Sequence, residues 1–438
     1  VTVVELFGGP GGWGIALDAL GLHAIALEWD HDACLTRVSN GLTAIRADVA
    51  AYPPARFAGA TGLVASPPCP QFSNSGAGHG RTVMAELRAA IVDVWNGADD
   101  LDRHLEVIAA AIYDKIVSRA SWPLSSALRL ACDAEDAGRE ALLMVEPARW
   151  LRALPSIEWV AMEQVPAALP LYRLYADLLA AAGWRSAWAV KLCAEQYGVP
   201  QTRMRAIIGA SRERVVHPPV ATHQKYVSGV AAGDAAECAP SLFGPGVLPW
   251  VSMAEALGFG MSERPALTLA PGHGGGGGPD IVQEHGAERR GDEPAPTILA
   301  SHDNGNKAWQ LNTRRDQRPD GSTQRRPTDE PAPTVTAQAG KGQWVWERPA
   351  TTVMGDPSLW PPGHKINGGD VAAGRAGGLR SRGDTVRLTV EQAAVLQSFP
   401  LEYRFAGTKT SQFAQIGNAV PPVLAYHVLA AVTGAGTA

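Results

Sequence analysis

The chain has 438 residues, a length suited to two or three domains, and 46% of them are hydrophobic, enough for a substantial core. A net charge of −5 signals no nucleic-acid partner globally, so any basic surface must be local. The five cysteines (Cys34, Cys69, Cys132, Cys193, Cys238) form no CxxC pair, which argues against a metal site or a disulfide framework. With no apolar membrane-length run and no leader pattern, a soluble cytoplasmic protein is expected.

The opening "VTVVELF" predicts a buried strand, followed by glycines and a helix over "GWGIALDALG". "HAIALEW" predicts a second strand and "DHDACLTRVSNG" a helix closed by Gly41; "TAIRAD" and "GLVASP" follow as strands three and four. A largely helical insert is expected over residues 83–142. Beyond it "ALLMVEP" and "WVAMEQV" read as strands, "LPLYRLYADLLAAAG" as a helix, and "SAWAVKLCAEQYG" and "MRAIIGASR" as further strands. Such alternation predicts an α/β fold with a doubly wound, mostly parallel sheet. From residue 216 to 383 Gly, Pro, Arg and polar residues dominate. A weak Pro-Ala-x-Thr repeat there carries Thr268, Thr297, Thr334 and Thr352, at spacings too irregular for a solenoid. It reads either as short strands entered through prolines or as loops offering amides and hydroxyls to phosphates. "TRRDQRPDGSTQRR" includes Arg314, Arg315, Arg325 and Arg326, and reads as a solvated loop or a phosphate-contacting one.

The residues with chemistry gather at predicted strand ends. In "SPPCPQ", Ser66, Pro67 and Cys69 each precede a proline, so the loop is extended and Cys69 has little freedom. Free cysteines are mostly small buried hydrophobes. The glycines of "ELFGGPGGWG" let backbone approach a ligand, but they lack the GxGxxG spacing of dinucleotide binders, which disfavours a plain NAD protein. Glu28, ending the second strand, suits ribose hydroxyls; Trp29 suits an adenine face or the core; Asp48 suits an adenine amino group. Cys69 follows strand four on the same edge, where open sheets bind ligands, and this favours a nucleophile.

The chain resembles the DNA cytosine methyltransferases that act on carbon 5. The resemblance is carried, in the family's order, by "ELFGGPGG", "LEWD", "RAD", "SPPCPQFSNSG", "MEQV", "QYGVPQTRMR", "RLTVEQAAVLQSFP" and "QIGNAVPP". It implies S-adenosylmethionine as cofactor, held by Phe7, Gly8, Gly9, Gly11, Gly12, Glu28, Trp29, Asp48, Pro68, Asn418 and Val420. It implies Cys69 as the nucleophile toward carbon 6 of a flipped cytosine, Glu163 as the acid facing ring nitrogen 3, Arg205 at the base's O2, and Arg203 supporting the Cys loop. Partial burial would raise the Glu163 pKa so that it holds a proton. Glu146 in "VEPARW" is a competitor by its own position, and the resemblance alone favours Glu163. Ser73, His79 and Arg81 become candidates for DNA contact on a closing loop, and residues 216–383 for target recognition.

The implied organisation is a catalytic domain of residues 1–212 plus 412–438 and a small domain of 213–411. The partners implied are double-stranded DNA and, in a restriction–modification setting rather than an orphan role, an endonuclease acting on the same site; a monomer is expected. RNA as substrate and a catalytically silent DNA-binding homologue are the alternatives. The sequence departs from the family pattern in three places: Pro70 stands where Gln is usual, Gln71 where Gly is usual, and Gln164 where Asn is usual.

Overall fold

The computed structural model describes residues 3–68, 83–98, 100–118, 127–226, 246–257, 295–296 and 389–435. Four short strands come first: β1 (Val3–Leu6), β2 (Ala24–Glu28), β3 (Ala44–Arg46) and β4 (Gly62–Ala65). Later come β5 (Trp159–Gln164), β6 (Ser186–Cys193), the two-residue β7 (Gln201–Thr202) and β8 (Met204–Ser211). Seven of them form one sheet in the order β3-β2-β1-β4-β5-β8-β6. The first five are parallel, and β8 runs antiparallel to both β5 and β6. The expected doubly wound, mostly parallel α/β sheet is therefore present, with an antiparallel end.

The strands are continuous apolar runs because both faces are covered. Alternate residues enter opposite cores. Val4, Leu6, Leu63, Val160, Met162 and Ile208 join one cluster, while Val3, Val64, Trp159, Ala161 and Ile207 join the other. That is the period of two expected of a pleated strand. The first face is covered by α3 (Met84–Asn96), α6 (Glu146–Ala153) and α7 (Leu169–Ala181), with Leu87, Ile91, Trp150, Leu151, Leu171 and Tyr175 in its core. The second is covered by α1 (Gly12–Ala19) and the Pro422–Thr433 helix, through Trp13, Leu17, Leu424, Val428 and Leu429. Each such buried side chain contributes about 1.5–3 kcal/mol of burial.

"ALLMVEP" is a correction: it is not a strand. Its residues end α5 (Ala127–Leu142), make the 3-10 turn Leu143–Val145 and begin α6. A short apolar run cannot be told from a buried helix by periodicity. Here Pro147 in the first turn of α6, where its missing N–H costs nothing, favours the helix. The insert is helical, built on α3, α4 (Leu101–Val117) and α5.

The carboxyl-terminal segment returns to the amino-terminal half. Thr36 donates to Gln415 (2.6 Å), Ser411 to Asp32 (2.7 Å), and Asn40 bonds Arg404 through both its side-chain atoms. Lys409–Thr433 is long and apolar enough by composition to cross a membrane. It contains the Lys409–Asn418 and Pro422–Thr433 helices, and its most apolar stretch is 61% buried. From the Pro-Ala-x-Thr region, Ala295–Pro296 forms β9, paired in parallel with β7. Thr268, Thr297, Thr334 and Thr352 lie outside the described residues.

Candidate active site

The carboxyl edge of the parallel strands carries two clusters. The first begins where β1 ends. Phe7 (φ 57°), Gly9 (φ 51°) and Gly11 (φ 110°) turn the chain sharply into α1. A non-glycine residue in the left-handed region stores strain and persists only where surrounding contacts over-determine it. Two residues further on, the loop is braced by Glu28, at the end of β2. Its Oε2 accepts from the Gly9 N–H at 2.7 Å and its Oε1 from the Asp30 N–H at 2.8 Å. Burial pushes this carboxyl upward from its ordinary value, and the two amide donors pull it back. Asp30 in turn caps α2 (His31–Ser39) by accepting from the Ala33 N–H at 2.7 Å. Trp29 is 76% exposed beside them, which removes the core alternative for this ring. Asp48 is exposed on the neighbouring loop, its Oδ1 accepting from the Ala50 N–H at 2.9 Å.

The glycines of this loop do not all serve close approach by a ligand. A Cβ on Gly8 would meet Ala26 and Arg37; on Gly11, Leu42 and Tyr403; on Gly12, the carbonyl oxygen of Val420. Around Gly9 it would meet nothing within 4 Å. Gly9 therefore has the open face, while the others make room for the protein itself. Val420 meets the loop through its backbone, and Asn418, the last residue of its helix, is exposed. The open face at Gly9, the neighbouring carboxylates of Glu28 and Asp48 and the exposed indole of Trp29 fit a nucleoside-bearing group.

The second cluster follows from the antiparallel pairing. Glu163 on β5 is in register with Ile207 on β8, so Glu163, Arg205 and Ile207 share a face. Because β8 runs backward, its start lies at the carboxyl end of β5. Arg205 Nε meets Glu163 Oε1 at 2.8 Å, with both side chains buried. The Tyr172 hydroxyl on α7 donates to the Glu163 carbonyl at 2.7 Å and fixes the strand end. Glu163 is thus paired with Arg205 in its buried position and not isolated there. Arg203 Nη1 donates to the Gly417 carbonyl at 3.0 Å and ties the junction of β7 and β8 to the Lys409–Asn418 helix. Burial first, then the nearby Arg205 charge, lowers the Arg203 pKa well below its ordinary value, and Glu163 opposes this. Glu146 belongs elsewhere: it begins α6 and pairs with Arg149 at 2.7 Å.

Gln164 connects this cluster to the end of β4. Its Nε2 donates to the Pro67 carbonyl at 2.7 Å. Ser66 accepts from the Trp13 indole at 2.9 Å, and Pro68 is half-buried beside it. Cys69, Pro70, Gln71, Ser73, His79, Arg81, Arg314, Arg315, Arg325 and Arg326 lie outside the described residues. Sequence reasoning missed Glu5, Arg37 and Tyr403 beneath the glycine loop. The signal was Glu5 itself, a charge inside an otherwise apolar strand, which must be paired when buried. It also missed Glu195, fully inside, with Oε2 lacking a partner among the described residues. Burial pushes that carboxyl up to about 7, against pull from the Glu195 and Arg203 N–H groups and Lys225.

Short, high-identity matches tie the chain to curated Type II methyltransferases. M.AplI of Arthrospira platensis is 56% identical over 46 residues, which is 10% of this chain and 13% of the relative. M.AquIB of Picosynechococcus sp. is 46% identical over 57 residues, 10% of this chain and 41% of the relative. The chain thus matches less than half the length of these relatives. Among solved structures, a candidate DNA modification methyltransferase encoded within a prophage (E. coli) superposes with a TM-score of 0.47 at 16% identity, covering 99% of each chain. A Spodoptera frugiperda DNMT2 mutant superposes with a TM-score of 0.43 at 13% identity, covering 99% of this chain and 100% of that one. The C-5 cytosine-specific DNA methylase model matches residues 1–92 and 300–433, which take in the glycine loop, Glu28, Asp48, Cys69 and the carboxyl-terminal return. With more than half its length matched, the chain belongs to the C-5 cytosine-specific DNA methylase family.

Proposed function

We propose that the protein is a DNA cytosine-5 methyltransferase using S-adenosylmethionine. The observation that carries the reading is the buried Glu163–Arg205 pair at 2.8 Å, beside a strand end that Gln164 ties two residues ahead of Cys69. The pair offers a guanidinium donor and a carboxyl group side by side. Cytosine presents a complementary edge: O2 and ring nitrogen 3 accept, and the amino group donates. A duplex hides that edge and carbon 6, so the base must be swung out to reach the pair.

In this reading the Cys69 thiolate adds to carbon 6 while Glu163, protonated in the complex with the base, passes its proton to ring nitrogen 3, which takes up the displaced electron pair. Arg205 holds O2 and offsets the charge that develops there. Arg203 keeps the start of β8 seated on the Lys409–Asn418 helix. S-adenosylmethionine, when bound by Phe7, Gly9, Glu28, Trp29 and Asp48, supplies the electrophilic methyl group for carbon 5. Water then takes the carbon 5 proton, the thiolate is expelled to restore Cys69, and ring nitrogen 3 returns its proton to Glu163. Residues 216–383, with Arg314, Arg315, Arg325 and Arg326, are the part that selects the DNA site; Ser73, His79 and Arg81 follow Cys69 on the loop that meets the opened strand. The setting proposed is the cytoplasm of a bacterium or an infected cell, with a cognate endonuclease as candidate partner.

The test is bisulfite sequencing of DNA from cells expressing the protein, alongside Cys69→Ser. Sequence-specific 5-methylcytosine that vanishes in the variant is expected. Absence of modified cytosine with the wild type, or a pattern indifferent to Cys69→Ser, refutes the reading; modification confined to RNA would select the RNA alternative.

A further inference from the structure

The glycine loop is held from beneath by charges that the proposed chemistry does not use. Arg37, on α2, is buried at 1% exposure. Its Nη2 donates to Glu5 Oε2 at 2.6 Å, and its Nη1 donates to Glu5 Oε1 at 3.1 Å and to the Gly8 carbonyl at 2.8 Å. The glycines around it leave the space it fills. A Cβ on Gly8 would lie 3.0 Å from Arg37 Nη1, and one on Gly14 would lie 2.8 Å from Arg37 Nη2. On Gly11 it would lie 2.7 Å from the Tyr403 hydroxyl, which donates to the Pro10 carbonyl. Two of the loop's carbonyls thus point inward at fixed donors. The Gly9 N–H is held by Glu28.

We infer that the buried Glu5–Arg37 pair and the Tyr403 hydroxyl are positioning groups for the cofactor: they set the shape of the Phe7–Gly12 loop without touching the ligand. The inference rests on the proposed S-adenosylmethionine reading and goes beyond it by assigning Arg37 and Tyr403, which lie outside the recognised motifs, and a role to Glu5, which opens one. A desolvated ion pair is poor as a source of stability, since apolar replacements of equal volume often serve as well. Its specific product here is geometry. The guanidinium plane faces a carboxylate on one side and a loop carbonyl on the other, and fixes their separation. A mainly structural pair would change folding when removed and leave ligand affinity untouched.

The test uses the full chain and S-adenosylhomocysteine as the calorimetric probe. Arg37→Met alone strands Glu5 in the core, so Glu5→Gln with Arg37→Met is the informative variant, and Tyr403→Phe is a milder second one. The double variant is expected to bind the probe at least tenfold more weakly, and Tyr403→Phe two- to fivefold more weakly. KM for S-adenosylmethionine should rise in step, while KM for DNA stays within twofold. A folded double variant that binds the probe within twofold of wild type overturns the inference. If the double variant does not fold, unchanged affinity in Tyr403→Phe overturns it instead. A wild-type chain that binds no S-adenosylhomocysteine fails one level earlier, at the cofactor reading.

Discussion

The two clusters on the carboxyl edge are built on opposite principles. Around Gly9 the charged side chains hold main chain: Glu28 takes two amides, Arg37 a carbonyl, Tyr403 another. Around Glu163 the charged side chains face one another, and the strands beneath them supply the rigidity. A loop needs such external bracing because its backbone groups have no ladder to satisfy them. A strand pair has its ladder already, so its side chains are available for a substrate. Damage in the first cluster should therefore appear as weaker cofactor binding. Damage in the second should appear as slower chemistry with cofactor binding intact.

The sharpest way to break this comparison is Glu163→Gln. The amide keeps the volume and an acceptor but cannot govern a proton. Loss of a positioned proton-transfer group costs about 10²- to 10⁴-fold in rate. Methyl-transfer assays should show a kcat reduced by that order, with S-adenosylhomocysteine affinity within twofold. A comparable fall in affinity would merge the two clusters into one.

Glu195 lies in the 3-10 turn Ala194–Tyr197 that follows β6, and its effect is on stability. Its folded value of about 7 lies above the ordinary 4.5. For a raised carboxyl the contribution to stability is complete below the lower value and is lost as pH rises through the upper one. A shift of this size corresponds to roughly 3 kcal/mol. Glu195→Gln removes the titration, so thermal melts should show the variant gaining on wild type from pH 5 to pH 8. Parallel melting curves across that range would mean that Oε2 finds a partner or water in solution.

Glu28→Ala tests the first cluster more gently. It removes one charge-assisted hydrogen bond to Gly9 and another to Asp30, each contributing about 1.5–3 kcal/mol in context. S-adenosylhomocysteine affinity should fall about tenfold or more, and kcat at saturating cofactor should change little. A kcat that collapses while affinity holds would reverse the assignment of the two clusters.

What was legible followed from strand ends. Glu28, Asp48, Glu163 and Arg205 stand at or beside the ends of apolar runs, and a pleated sheet delivers such positions to one edge. The choice between Glu146 and Glu163 was not legible from the residues themselves, because both follow apolar runs. Only the tertiary pairing separates a residue opposite Ile207 from one at a helix start. The glycines were read as letting the backbone approach a ligand, and of the loop's glycines Gly9 alone has the open face for it. Sequence spacing cannot reveal that Gly8 and Gly14 yield to a guanidinium 23 or more residues further on.

The smallest effect concerns Gln164. Its side chain is one methylene longer than the asparagine usual in the family, and it uses that length to reach the Pro67 carbonyl at 2.7 Å while its Oε1 accepts from the Val165 N–H. Gln164→Asn would shorten the reach and leave a buried carbonyl under-satisfied. The net value of one such hydrogen bond is about 1 kcal/mol. Because the bond fixes the residue two before Cys69, part of that loss should appear as a misplaced thiol and not as unfolding. The expectation is a two- to fivefold lower kcat with unchanged S-adenosylhomocysteine affinity and a melting temperature within a few degrees of wild type. If kcat is unchanged, the Pro67 tie serves folding alone.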